Sequence, residues 1–402
     1  MFLIFSFLIL GVASSQKAFV GQDGRGNIHI NTTGNASVFV NGMDMNEEIK
    51  RLSSVLDDVL RRLPSSKTTT TPVTTVDTST TSITTIVEAD TTTITGFPRP
   101  SRTGNHLWGD GILAKNGQIY GIPFSSTSVL IIEPSTNKVD TTIITGLSGD
   151  DKWHGGVLAR NGKIYGIPLT SPSVLIVDPE LNKADTTTIT GLSGAGKWSG
   201  GVLANNGNIY GIPANSPSVL IIDPSTNKVD TTSITGLDGS WKWWNGVLAR
   251  NGKIYGIPHS STSVLIIDPA TNKADTTTIT GLSGDGKWSG GVLANNGNIY
   301  GIPYASTSVL IINPSTNKID TTSITGLDGS WKWWGGVFAS NGKIYGIPHF
   351  SSSVLIIDPT TNKTDTTTLI GLTGDYKWRS GVLANNGKIY GIPYFSASVL
   401  IL

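Results

Sequence analysis

Histidine, tryptophan and the Asn-x-Ser/Thr sequon are the features of this 402-residue chain that could carry chemistry. The five histidines, His29, His106, His154, His259 and His349, are scattered through the sequence. None has the three- or four-residue spacing that sets two metal ligands on one helix face, nor a neighbouring carboxylate to orient an imidazole. No serine stands in a Gly-x-Ser-x-Gly elbow, and no Walker-type loop occurs. Cysteine is absent, which removes disulfides and thiolate metal sites. With 29 basic and 28 acidic residues the net charge is +1, so there is no electrostatic case for nucleic acid or an acidic membrane surface. No cofactor and no metal are expected.

Aromatic residues offer more. Seven tryptophans, Trp108, Trp153, Trp198, Trp243, Trp288, Trp333 and Trp378, recur at an interval of 45 residues. Four more break the pattern: Trp241 and Trp244 flank Trp243, and Trp331 and Trp334 flank Trp333. A second variable position follows an invariant Ile-Pro, where Phe124, Leu169, Ala214, His259, Tyr304, His349 and Tyr394 stand in turn. The next residues are Ser125, Thr170, Asn215, Ser260, Ala305, Phe350 and Phe395. Lys242, Lys332 and short acidic loops such as 150–151 and Asp285 complete the variable set. Aromatic planes beside polar loops suit sugar rings, which stack an apolar face and hydrogen-bond through their hydroxyls. Candidate ligand-binding residues are therefore Trp241, Trp244, Trp331, Trp334, Phe124, His259, Tyr304, His349, Phe350, Tyr394 and Phe395. His259 and His349 fall two repeats apart, too far to act together.

The elements that must position these residues follow from the period. A unit of 45 residues, made of short apolar runs separated by turn residues, indicates a β-propeller with one repeat per blade. In the copy starting at Lys287, strands are expected at 290–294, 298–302, 308–312 and about 320–325, with Asn296-Gly297 as a two-residue hairpin turn. The last copy stops after its third strand, and the missing fourth occurs once at 90–96, ahead of the first Trp. An N-terminal strand completing the final blade closes the ring at seven. Residues 196–285 and 286–375 differ at only about 15 of 90 positions, so a two-blade unit has been copied above the single repeat. The loops joining second to third strands, and those joining blades, share one face, and the variation concentrates there. The frame tryptophans and the repeated tyrosines are expected to be packing. The repeated Asp90, Asp140, Asp185, Asp230, Asp275, Asp320 and Asp365 are expected to tie down a strand start.

The second and third strands carry a resemblance. The run from Asn251 through Tyr255, followed by Ser261 through Lys273, resembles the YVTN-type propeller repeat over roughly half of each blade. The pattern departs at Gly256-Ile257-Pro258 and in the Lys-Trp-x-Gly-Gly opening. The resemblance implies a propeller of the kind found on extracellular or surface-layer proteins and brings no catalytic residues.

Ahead of the propeller the chain reads in four parts. Residues 1–15 form a secretory signal peptide, its apolar run 2–12 too short to span a bilayer. Residues 16–44 form a short β segment, with strands near 28–30 and 38–40 joined through 32–35. Residues 45–63 form a helix that begins at an Asp44/Glu47 capping box and carries a heptad seam through Met45, Ile49, Leu52, Leu56, Val59 and Leu63. A helix that short needs a partner, and self-association as a coiled coil is expected, its wide apolar face favouring a trimer. Residues 64–85 form a Thr/Ser-rich linker, and 86–402 the propeller. Asn31, Asn35 and Asn362 are N-glycosylation candidates in a secreted chain.

Together these readings describe an all-β, seven-bladed propeller on a stalk, secreted and without a membrane span. Its expected role is multivalent recognition, as a glycan-binding (lectin-like) or cell-surface adhesion protein. The alternative is a structural or adhesive component of an extracellular matrix, coat or mineralised layer. An enzyme is not expected, because near-identical blades give no obvious way for unlike groups to converge.

Overall fold

The computed structural model describes residues 18–22, 28–32, 39–40, 43–44, 88–97 and 106–402. The chain divides into two units, Met1–Thr81 and Ser82–Leu402. In the first, Ala18–Gln22 pairs antiparallel with Ile28–Thr32, and Phe39–Val40 with Met43–Asp44. The two strands expected here are present, but they pair with Ala18–Gln22 and Met43–Asp44 and not with each other. The signal segment, the helix at 45–63, the Thr-rich linker and Asn35 lie outside the described residues.

The second unit is a seven-bladed propeller, and no helix occurs among its described residues. The fifth blade shows the pattern. Trp288–Leu293 is innermost, followed by Ile299–Pro303, Leu310–Asn313 and the outer Lys318–Asp320, all antiparallel. The first hairpin turns through three residues, with Ala294 and Asn298 as the closing pair and Gly297 at φ 82°. This replaces the expected two-residue turn, because only Gly297 is left-handed and Asn296 is not. The outer strand is shorter and earlier than expected. The Asp320 carboxylate accepts from the Thr322 and Ser323 amides at 2.7 and 3.0 Å and from both side-chain hydroxyls, which bends the chain away from the ladder. The repeated aspartate thus ends a strand rather than starting one.

Apolar residues on both faces of the middle strands pack into seven inter-blade clusters. Blades approach so closely that a Cβ on Gly336 would meet Ile302 of the preceding blade at 2.7 Å. Each frame tryptophan is buried with its indole N–H on a serine carbonyl, as Trp288 is on Ser308 at 2.8 Å. The repeated tyrosines are buried too, and six of them latch blade to blade. The Tyr300 hydroxyl donates to Asn362 Oδ1 at 2.8 Å in the next blade and lies 3.3 Å from the Pro359 carbonyl. Asn362, a sequon residue, is thereby engaged in a blade junction.

Closure follows the expected route. Asp90 and Ile401 exchange backbone hydrogen bonds at 2.8 Å, Val399 donates to Ile94, and Phe97 donates to Ala397. The Tyr390 hydroxyl then reaches Asn137 Oδ1 of the first blade at 2.8 Å. The seventh blade is built from both ends of the unit, and the sheet edge it would otherwise expose is paired.

Candidate functional site

Three positions in each repeat converge on one end of the propeller axis. The first lies two residues before the frame tryptophan and is His106, Asp151, Gly196, Trp241, Gly286, Trp331 and Tyr376 around the ring. The second follows that tryptophan: Gly109, His154, Ser199, Trp244, Ser289, Trp334 and Arg379. The third is the residue after Ile-Pro. The innermost strands of neighbouring blades contact one another around the ring, so side chains from different blades that are far apart in sequence meet there.

The backbone at the first position carries strain. Asp151, Trp241, Trp331 and Tyr376 have φ of 50°, 50°, 59° and 52°, and the sister positions Gly196 and Gly286 have 64° and 58°. A left-handed conformation costs a bulky residue about 1–2 kcal/mol and a glycine almost nothing. Three aromatic rings are therefore held where the fold prefers glycine. Trp241 and Trp331 remain 42% and 44% exposed, and few other large apolar side chains of the described residues are so open.

The loops beneath them are fixed by lysine. Lys332 Nζ donates to the carbonyls of Tyr304, Ser306 and Gly329 at 3.2, 2.9 and 2.6 Å, and lies 5.9 Å from the Trp333 ring centre. Lys152, Lys197, Lys242 and Lys287 make the same three-carbonyl clasp, and Lys377 makes two of the three contacts. Burial draws Lys332 and Lys242 down to about 8. Lys242 and Lys332, expected as surface contacts, are instead buried struts. Each ties the residue after Ile-Pro in one blade to the start of the next.

All eleven candidate ligand-binding residues belong to one continuous aromatic network. Trp244 and Trp334 meet edge to face at 5.3 Å. Tyr304 contacts Trp331, Trp334, His259 and His349. Phe124 packs on Tyr394, Phe350 on Trp331, and Trp241 on Trp244. Phe395 reaches Tyr376 and His106. Seven of the eleven line a cavity of about 740 Å³, namely Tyr304, Trp331, Trp334, His349, Phe350, Tyr394 and Phe395. Trp241, Trp244, Phe124 and His259 stand outside it, and Trp244 and Trp334 are only 4% and 6% exposed, so neither is an open stacking platform.

Four residues outside the sequence-derived binding candidates complete the site: His106, His154, Tyr376 and Arg379. Arg379 lies at its centre, its Cζ 4.0 Å from the Tyr394 ring centre, 4.2 Å from Trp334, 4.7 Å from Phe124 and 5.9 Å from Trp244. The signal was available, because all four occupy the two positions at which the extra tryptophans had already been noticed. A search for repeated departures from the pattern passes over a residue that departs once.

Four of the five histidines come together in space. His106 stacks on Tyr394 at 4.2 Å, His154 meets Trp244 at 5.0 Å, and His259 and His349 both contact Tyr304, at 5.9 and 6.1 Å. Burial holds His106 and His259 down to about 4, with charge repulsion from Arg379 and Lys287 respectively adding to it. Burial also holds His154 and His349 well below the ordinary imidazole range. All four are neutral at pH 7. The imidazole Nδ1 atoms of His154 and His349 face the Ser199 and Trp378 carbonyls, and that of His259 faces the Ser260 hydroxyl; none faces a carboxylate. The expectation that near-identical blades cannot bring unlike groups together is overturned. The strands converge on an axis, so one divergent side chain per blade is enough.

No family model matches the chain, and no curated protein matches it. Solved structures do match, at identities that show the fold alone. A streptogramin B lyase aligns at 10% identity with a TM-score of 0.59, covering 78% of this chain and 96% of its own. The WD40 propeller domain of Doa1 aligns at 11% with 0.53, covering 77% and 95%. The extracellular domain of a hybrid two-component system of B. thetaiotaomicron aligns at 10% with 0.54, covering 76% and 42%. Among the described residues no helix is long and apolar enough to cross a membrane.

Proposed function

We propose that the chain is a secreted recognition protein whose propeller binds a glycan in the axial cup, with valency supplied by self-association through residues 45–63. The observation that carries this reading is the retention of Trp331 and Tyr376 in left-handed backbone in the wall of one aromatic cavity. Strain kept where a glycine would relieve it points to a use for the ring. The cavity's size suits one or two sugar residues. One cavity per chain makes one site, so avidity rests on the helix. The YVTN-type likeness of the middle strands and the extracellular setting of one structural neighbour fit this reading.

Glycan-array binding by the full-length protein, with Trp331→Ala as the control, tests it. Trp331 is exposed, so its removal leaves the core intact, whereas Trp244→Ala or Trp334→Ala would confound binding with packing. Binding that falls at least tenfold in the variant supports the proposal. No binding at high valency overturns it in favour of the matrix or coat role. Convergence of Arg379, Tyr304 and four neutral histidines also favours a second, catalytic reading, and one structural neighbour is a lyase. Mass spectrometry of recovered ligand separates the two: an intact ligand supports recognition, and a cleaved one supports catalysis.

A further inference from the structure

Among the described residues, the buried side-chain polar atoms without a hydrogen-bond partner are His154 Nε2, Trp244 Nε1, and Nε and Nη1 of Arg379. They fall in one cluster on the axis. His154 and Trp244 touch at 5.0 Å, and the Arg379 guanidinium is 5.9 Å from the Trp244 ring centre. A buried polar atom without a partner costs about 1–3 kcal/mol, and more on a charged group, so folds rarely keep such groups without a use.

Arg379 is 6% exposed and forms part of the cavity wall. The ion pairs among the described residues, Lys163–Asp178 and Lys253–Asp268, do not include it. The Asp151 carboxylate lies beyond ion-pairing distance and accepts from Ser125 Oγ at 3.4 Å. Aromatic faces flank the guanidinium and stabilise its charge, but they offer no acceptor to its in-plane N–H groups. Lys377, the other cation of the wall, spends its ammonium on the His349 and Gly374 carbonyls. Asp375 is exposed at the mouth and acts on Lys377. The cup therefore offers one uncommitted cation, forked and planar, amid rings.

We infer that Arg379 reads the carboxylate of an acidic sugar residue, the guanidinium pairing with the carboxylate while the rim aromatics stack on the ring. A single cation matches a monoanion, where a phosphate monoester, close to a dianion at about pH 7, would call for more than one. The fork geometry of arginine matches a carboxylate in two parallel hydrogen bonds. The inference rests on the glycan reading and narrows its ligand class to uronic and sialic acids.

The test is calorimetric titration of the full-length chain with glucuronate and N-acetylneuraminate against glucose and N-acetylglucosamine. The acids are expected to bind at least about tenfold more tightly than the neutral sugars, and Arg379→Met to lose about tenfold to a hundredfold for the acids alone. Arg379→Lys keeps the charge and loses the fork, so it should restore part of that preference. If Arg379→Met fails to fold by circular dichroism, the acid-to-neutral ratio in the wild type and Arg379→Lys decides. Equal affinity for acids and neutral sugars, or acid binding untouched by loss of Arg379, overturns the inference and leaves the glycan reading standing. No binding of either class by wild type overturns both.

Discussion

Replacing Lys332 with Met removes one of the ammonium clasps that seat the variable loops. Of its three carbonyl partners, that of Tyr304 keeps a second donor, the Lys332 backbone N–H at 3.0 Å. The carbonyls of Ser306 and Gly329 are left without one. Stripping two such acceptors costs about 1–3 kcal/mol each. Removing a buried cation acts in the opposite direction, and the loss of its contact with Trp333 acts in the same one. A net loss of about 2 kcal/mol is expected at pH 7.5, read as a lower urea midpoint in tryptophan fluorescence. The pH dependence supplies an independent sign. Lys332 titrates near 8 in the fold against a reference of 10.5. Between those values the unfolded chain holds a proton that the folded chain has released, so wild-type stability from this group rises with pH across that window. The Met variant lacks the group, and the gap between the two proteins should widen by pH 10. A variant as stable as wild type at pH 7.5, with no widening at pH 10, would refute the clasp.

Tyr300→Phe should cost about 1–2 kcal/mol, because it breaks a latch to Asn362 in the next blade. The Tyr345 hydroxyl contacts only Asn341 of its own blade, so Tyr345→Phe should cost less than half as much in the same urea titration. Trp331→Gly should change stability by no more than about 1 kcal/mol, since relief of left-handed strain offsets lost ring contacts, yet abolish glycan binding. Lowering pH should destabilise the protein in two stages. Histidines held near 4 in the fold are protonated first in the unfolded chain, so stability falls from pH 6.5 toward 4. Aspartates such as Asp320 and Asp365, held at about 2 chiefly by the Ser323 and Thr368 hydroxyls, then lose their contribution from pH 3.8 toward 2. Urea midpoints that stay flat between pH 7.5 and 4.5 would contradict the first stage.

The ring was readable because its determinants are local and repeated. The interval between frame tryptophans, the orphan run at 90–96 and the apolar middle strands each specify blades, closure and packing without reference to the axis. The fourth strand was misplaced because the Thr-rich run after Asp320 has strand composition, while the Asp320 carboxylate competes for its amides. The variable face was readable too, since Phe124, Tyr304 and their counterparts differ at fixed positions. The cup was not. Its centre, Arg379, is a single departure at one position, and its importance lies in rings contributed by Phe124, Trp244, Trp334 and Tyr394 from different blades. Nor did composition distinguish Trp331, which is open, from Trp334, which is buried three residues later.

The edge-to-face contact of Trp244 with Trp334 joins two copies of the same residue. In a linear array, a duplicated side chain lies one repeat length from its original and stays there. In a closed ring whose inner strands meet, duplication becomes proximity, and a residue aimed at the axis acquires itself as a neighbour. Of the positions at which the two copied units differ, two place a ring in the cup wall in the second copy: Ala214 against Tyr304 and Ser260 against Phe350. Such a ring can gain a pocket by copying and sharpen it by a few later substitutions, so that an asymmetric site emerges from a nearly symmetric gene.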